Sequence, residues 1–344
     1  MVAAIDTLEE QLRGEPRRWL VTGAAGFIGS HLCERLLSLG QGVVGFDNLS
    51  TGFLHNVQLV REAVGIEAAA RYEFVEGDVR DRKALDHAMG SVDHVLHQAA
   101  MASVPRSMES PHLHHESNTD GFFKVLEASR AAAVRSVVYA SSSSVYGDHP
   151  ALPKRETDTG EVLSPYAATK ACNEIYATAW SRAFDLPVVG IRYFNVFGPR
   201  QDPQGAYAAV IPKWIDLLGR GERPVIFGDG KTSRDFCPVA NVVQMNLLAA
   251  VPARPPQHRV FNVALGGRTT LDELYAHLRD QMASLGAACD GLEPTYADFR
   301  PGDIRHSLAD VTRAREQLGY EPGVDLASGL ELTTRWFWSR KRTA

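Results

Sequence analysis

Tyr166 and Lys170, four residues apart in the run Ser164-Pro165-Tyr166-Ala167-Ala168-Thr169-Lys170, form the pair in this chain best suited to chemistry. On a helix that spacing places both side chains on one face. A free tyrosine keeps its proton near pH 7, its pKa being about 10. A neighbouring ammonium favours the phenolate, and each unit by which the pKa falls takes roughly 1.4 kcal/mol of differential stabilisation. Tyr166 as phenolate would be a general base toward the hydroxyl of a secondary alcohol.

A glycine-rich turn near the start supplies a partner for that base. Gly23, Gly26 and Gly29 follow an apolar run ending at Val21, and a helical pattern begins directly after them. A tight turn, close approach of the backbone to a pyrophosphate, and close packing of helix on strand all favour a missing side chain, while the helix N-terminus faces the anion. Asp47 closes the second apolar run, 18 residues after Gly29, where a carboxylate accepts hydrogen bonds from an adenosine ribose. Asn48 and Leu49 follow, with no arginine beside them to hold a 2′-phosphate, which favours NAD over NADP. The positive nicotinamide ring would join Lys170 in favouring the Tyr166 phenolate, and the chemistry becomes hydride transfer from a secondary alcohol.

These residues need a frame. Short apolar runs at 19–22, 42–47, 72–76, 94–97, 137–141 and 188–193 alternate with helical patterns at 26–39, 81–89, 118–133 and 166–184. That alternation predicts an α/β fold, a Rossmann-type doubly wound parallel sheet whose ligands sit beyond the carboxyl ends of the strands. After Asn195 glycine and proline break the pattern, which predicts a smaller C-terminal substrate-binding lobe. The division expected is an NAD-binding domain over 1–197 with a returning segment near 237–265, including a strand at 260–264, and a lobe over 198–236 and 266–344.

The 344 residues carry a formal net charge of −5 and 44% hydrophobic content, with no long basic block, so neither nucleic acid nor an anionic membrane is expected as partner. Cys33, Cys172, Cys237 and Cys289 are far apart and show no zinc-type spacing, which fits reduced thiols in the cytoplasm. His112, His114 and His115 lack a further ligand at metal spacing; no metal is expected and the cluster reads as a surface loop. The segment 1–16 contains Asp6, Glu9 and Glu10 without an apolar stretch, so it reads as a short amphipathic helix and not as a signal peptide.

The chain resembles the extended short-chain dehydrogenase/reductase family nearly end to end. TGAAGFIG, Asp47-Asn48, HQAA at 97–100, SSSSVYG at 141–147, YAATK and RYFNVFGPR at 192–200 occur in the family order. More narrowly, RQDPQGAYAAVIPKW at 200–214, GDGKTSRDF at 228–236 and DFRPGDIRHSLAD at 298–310 resemble the bacterial UDP-N-acetylglucosamine 4-epimerases.

The resemblance implies that Gly23, Gly26, Phe27, Ile28, Asp47, Asn48, Asp78, Val79, Gln98, Ala99, Ala100, Tyr166, Lys170 and Tyr193 hold NAD. It implies Ser142 as the hydroxyl beside Tyr166, with Ser143 and Ser144 as further sugar contacts. Ser103, Asn195, Gln201, Ala209 and Val210 would line the sugar and uridine pocket. Arg234 and Arg300 would clamp the diphosphate, with Arg268 as a further cation, and Asp303 would meet the uridine ribose. Ser307 borders the sugar C2 substituent; the family carries tyrosine there in enzymes limited to unacetylated hexoses, so serine implies room for an N-acetyl group.

The implied reaction takes the proton of the sugar 4-hydroxyl onto Tyr166 while hydride passes to NAD and back, with rotation of the 4-keto sugar in between. Related 4,6-dehydratases carry an acid pair where this chain has Ser143 and Ser144, so elimination lacks its proton carriers. The alternatives are a UDP-glucose/UDP-galactose or UDP-glucuronate 4-epimerase and, in a different class, a non-catalytic NAD-sensing protein. A homodimer through helices near 118–133 and 166–184 is also implied.

Overall fold

The computed structural model describes residues 3–204, 209–252, 259–299 and 304–341. Strand β1 (Arg18–Thr22) sends Trp19 and Val21 into one apolar layer and Leu20 into the other, the alternation that a strand covered on both faces requires. The same alternation runs through β2 (Gly42–Asp47), where Val43 and Val44 part, through β4 (His94–His97), where Val95 and Leu96 part, and through β5 (Ser136–Ser142), where Val138 opposes Val137 and Tyr139. With β3 (Tyr72–Glu76), β6 (Val188–Tyr193) and the strand Arg259–Val263 these form a seven-stranded parallel sheet. Its order is β3, β2, β1, β4, β5, β6, then Arg259–Val263. This is the doubly wound Rossmann arrangement, and its strand order turns back between β1 and β4, where such sheets open a crevice at their carboxyl ends.

One apolar layer is roofed by the helices Phe27–Ser38 and Val239–Ala250, and the other by Gly121–Ala131 and Pro165–Phe184. The N-terminal helix spans Ala4–Gly14 and buries Leu8 and Leu12. A third cluster, with Ile211, Trp214, Ile226, Phe236, Leu274, Leu278 and Leu330, lies outside the sheet layers. The Leu271–Ser284 helix of that cluster starts with a capping box between Thr270 and Glu273.

Three elements differ from the sequence reading. The histidine cluster is at the surface through His112 and His115 but is not a loop: Pro111–His115 is helical, and His114 is fully buried with Nδ1 bonded to the Ser110 carbonyl at 3.0 Å, because a helix turns one residue of such a run inward. The helix expected from 118 instead opens with a π-helical turn, Glu116–Asp120, before the α-helix Gly121–Ala131. The returning strand is Arg259–Val263, one residue earlier than expected. Among the described residues no helix is long and apolar enough to cross a membrane.

Candidate active site

The carboxyl ends of β1, β2, β4, β5 and β6 meet in a cleft of about 510 Å³, a size typical of small-molecule sites. Its floor is the glycine turn. Gly23 has φ of +70°, and a side chain there would reach 2.8 Å from the Ala99 amide; a Cβ on Gly29 would overlap the Gly23 carbonyl. Gly26 caps the Phe27–Ser38 helix without any side-chain bond, so the first-turn amides, at Phe27 and Ile28, stay available for an anion at the positive end of the helix.

Asp47 stands at the end of β2, where its Oδ2 accepts the Ala25 amide at 3.0 Å and its Oδ1 the Leu49 amide at 2.8 Å. Burial raises its pKa and these bonds oppose the rise. The carboxylate thereby also shapes the glycine turn. Asn48 donates to Asp78 at 2.8 Å; Asp78 is held down to about 2, chiefly by its hydrogen bonds from Arg80. Asp78, Val79, Gln98, Ala99 and Ala100 all line the cleft. Tyr193 donates to Gln98 at 2.8 Å, and Asn246 binds both, taking the Gln98 amide at 3.1 Å and donating to the Tyr193 hydroxyl at 3.0 Å. A cleft with a bare helix N-terminus at one end, a ribose-height carboxylate and a tyrosine–lysine pair at the other fits NAD.

Tyr166 and Lys170 project into the cleft from the Pro165–Phe184 helix. Ser164 accepts the Ala167 amide at 3.1 Å as N-cap, and Pro165 takes the first helical position, where no amide is missed. Lys170 is buried and donates to the Ala140 carbonyl at 2.8 Å; burial lowers its pKa to about 8. Its ammonium lies 5.9 Å from the Tyr166 ring centre. Ser142 faces Tyr166 and favours its phenolate, yet loss of solvation around the Tyr166 hydroxyl outweighs this and raises its pKa. Lys170 by itself does not offset this desolvation, which leaves the lowering expected of Lys170 and the nicotinamide ring together to the positive charge that bound NAD would add.

The serine run divides by direction. Ser141, at the cleft wall, donates its hydroxyl to Glu174 at 2.6 Å, and Ser142 faces Tyr166. Ser144 donates its hydroxyl to Ser142 at 2.9 Å, and the cleft includes Ser143 but not Ser144. Asn195 and Gln201 line the cleft too.

Other expected contacts lie apart from it. Ser103 caps the short helix Val104–Glu109, accepting the Arg106 amide at 3.2 Å. Ala209 and Val210 open the Val210–Gly219 helix outside the cleft. Arg234 donates to the Ser233 and Arg305 carbonyls at 3.1 and 3.3 Å, beside Ser307, whose amide binds the Ser233 carbonyl at 3.0 Å. Arg234 and Ser307 are thus brought together, away from the sheet ends. Arg300 and Asp303 lie outside the described residues.

Sequence reading missed Asn118. It sits in the π-helical turn, accepts the Met101 amide at 2.8 Å, and donates to the Met101 carbonyl and to Thr169 at 3.1 Å each. It thereby fixes the wall after Ala100 against the helix bearing Lys170. The π-turn is the signal for such a residue, and only structure displays it.

Known proteins resemble this chain over most of its length. The NAD dependent epimerase/dehydratase family profile matches residues 19–264. A UDP-glucose 4-epimerase of Mycolicibacterium smegmatis is 40% identical over 94% of this chain and all of its own length. A UDP-glucuronate 4-epimerase of Arabidopsis thaliana is 33% identical over 93% of this chain and 75% of its own. Among solved structures, the UDP-N-acetylglucosamine 4-epimerase of Methanobrevibacter ruminantium, in complex with UDP-N-acetylmuramic acid, superposes with a TM-score of 0.86 at 37% identity, covering 94% of this chain and 99% of that one.

Proposed function

The chain belongs to the NAD dependent epimerase/dehydratase family, as an NAD-using enzyme of the UDP-sugar 4-epimerase type, and on that footing we propose that it interconverts UDP-N-acetylglucosamine and UDP-N-acetylgalactosamine. The observation that carries the chemistry is the meeting of Ser142, Tyr166 and buried Lys170 in a cleft fit for the cofactor. Bound NAD supplies a reversible hydride acceptor for sugar C4. Tyr166 takes the proton of the 4-hydroxyl and returns it, Ser142 holds the same oxygen, and Lys170 keeps positive charge close to the phenolate. Ser143 and Ser144 offer no carboxylate to carry elimination.

Inversion at C4 needs the 4-keto sugar to turn while its UDP stays held. We assign that grip to the lobe formed by 198–236 and 266–344, with Arg234, Arg300 and Asp303 on the nucleotide, and Asn195, Gln201, Ala209, Val210 and Ser103 around uridine and sugar. Ser307, half-buried beside Arg234, supports the N-acetyl assignment because its small side chain leaves room at sugar C2. The name of the mycobacterial relative favours a second reading, a UDP-glucose/UDP-galactose 4-epimerase.

The exposed Ile175 and Phe184 on the Pro165–Phe184 helix support a homodimer packed through that helix. The test of function is NMR of the anomeric protons when purified protein, without added NAD, meets UDP-N-acetylglucosamine, UDP-glucose and UDP-glucuronate separately. Fastest turnover of the N-acetyl sugar is expected. Preference for another of these sugars overturns the substrate assignment, and silence on all, persisting with added NAD, overturns the epimerase reading.

A further inference from the structure

Successive residues at the end of β5 are latched to successive turns of the Pro165–Phe184 helix. Ser142 pairs with Tyr166, Ala140 receives Lys170, and Ser141 donates to Glu174 at 2.6 Å. The proposed reaction uses the first two of these latches and leaves the last without a task.

Glu174 is also the anchor of a buried ion pair. Arg192 of β6 grips it at two points, Nε to Oε1 at 2.9 Å and Nη2 to Oε2 at 2.8 Å, with its own side chain only 4% exposed. The register of the sheet sets Ser141 beside Arg192 and Ser142 beside Tyr193, so the clasp lies against the strand end that presents the reactive hydroxyl. Beyond it, the Arg192 guanidinium covers the Tyr146 ring at 4.7 Å, and Tyr146 donates to Asn262 at 2.6 Å. Asn262 donates in turn to the carbonyls of Lys154 and Asp310, at 2.9 and 3.0 Å.

A buried ion pair is a poor device for stability, because desolvating two charges offsets most of their attraction. What it offers is direction: a planar guanidinium fork held bidentately by a carboxylate leaves that carboxylate little freedom to turn. Fixed in this way, Glu174 Oε1 is a rigid acceptor for the residue immediately before Ser142.

We propose that Ser141, Glu174 and Arg192 form a positioning device that holds the end of β5 in register with the helix, so that the Ser142 and Tyr166 hydroxyls stay within hydrogen-bond reach. The proposal rests on the reading of Ser142 and Tyr166 as the reacting pair. None of its members touches the reacting atoms; each acts through Ser142.

Ser141→Ala tests it gently, since the ion pair remains. Expected is a fall in kcat of about tenfold or more, toward the roughly hundredfold that a misplacement near 1 Å costs, with KM, retained NAD and Tm close to the parent's. Ser141→Thr restores the hydroxyl on a side chain that suits a strand, and should recover most of kcat. Arg192→Lys keeps the buried charge but loses the fork, and should lower kcat in the same selective way. Unchanged kcat in both Ser141→Ala and Arg192→Lys overturns the proposal, as does a loss in Ser141→Ala that Ser141→Thr leaves unrepaired.

If the parent turns over none of the UDP-sugars, the epimerase reading fails by itself. The positioning role is then judged on a crystal structure of Ser141→Ala with NAD. Displacement of Ser142 relative to Tyr166, against the parent's structure, supports it, and an unchanged separation overturns it.

Discussion

Lys170 donates its buried ammonium to the Ala140 carbonyl at 2.8 Å, so the cation of the proposed reactive pair is tethered to β5 and not to the Tyr166 phenol. It acts on Tyr166 through space, from 5.9 Å to the ring centre, and desolvation leaves the tyrosine pKa raised until further positive charge arrives.

That tether predicts a pH signature in stability. Burial lowers the folded-state pKa of Lys170 to about 8, below its unfolded value. Between about 8 and the model-peptide value near 10.4 the unfolded chain binds the extra proton, so this group makes the fold more stable as pH rises, by about 1.4 kcal/mol per unit. In cofactor-free protein, the Lys170→Met variant lacks the term. Denaturant titrations at pH 7.5 and 9.5 should show the parent gaining on the variant; a constant difference would sink the assignment.

Removing the phenol separates chemistry from binding. Tyr166→Phe should lower kcat by about 10² to 10⁴, the range for losing a general base, while NAD content and Tm stay near the parent's. Ser142→Ala should cost less, because Tyr166 keeps its hydroxyl. NMR turnover assays with absorbance measurement of bound cofactor check both, and a Tyr166→Phe variant that loses its NAD would instead make Tyr166 a binding residue.

The sheet and the placing of the candidate pair in one cleft are legible in the sequence because both rest on local periodicity. Val43-Val44 and Val137-Val138 lie in short runs apolar throughout, and Tyr166 and Lys170 stand one helical turn apart. The supports are not legible, because they join residues distant in the chain. Glu174 meets Ser141 and Arg192 across the sheet, Asn246 reaches Gln98 from 148 positions away, and Asn118 depends on a helical register slip that composition does not announce. The grouping of Arg234 with Ser307 likewise comes from a backbone pairing of segments over 70 residues apart. Tyr166 adds a burial effect that the spacing does not display: without the cofactor's charge, desolvation raises its pKa.

Asp47 should matter to cofactor retention beyond any ribose contact. Asp47→Asn sets an amide where a carboxylate now accepts from both Ala25 and Leu49, loosening the glycine turn. A hydrogen bond to a charged group contributes about 1.5–3 kcal/mol, which corresponds to a weakening of NAD binding of about tenfold or more. Calorimetric titration of stripped protein with NAD gives the number, and parent-like affinity would confine Asp47 to a structural role.

The proposed dimer predicts a clean disruption. Ile175 is 69% exposed on the Pro165–Phe184 helix, one position beyond Glu174, and faces outward. Ile175→Glu would place a charge in an apolar interface and should shift the sedimentation coefficient from dimer to monomer at micromolar concentration. A parent that already sediments as a monomer removes the dimer from the proposal.

The proposed substrate choice makes Ser307 its test. Its backbone pairing to Ser233 places it beside Arg234, so a sugar whose diphosphate is held by that arginine would present its C2 substituent to a side chain no larger than a hydroxymethyl. Ser307→Tyr fills that space. The ratio of kcat/KM for UDP-N-acetylglucosamine over UDP-glucose should fall by about tenfold or more, since a bulky clash rejects the larger substrate more strongly than a missing methylene does. Parallel NMR assays on both sugars decide it: equal losses would mean that Ser307 borders some other part of the nucleotide sugar, and the room for an N-acetyl group would have to come from elsewhere in the lobe.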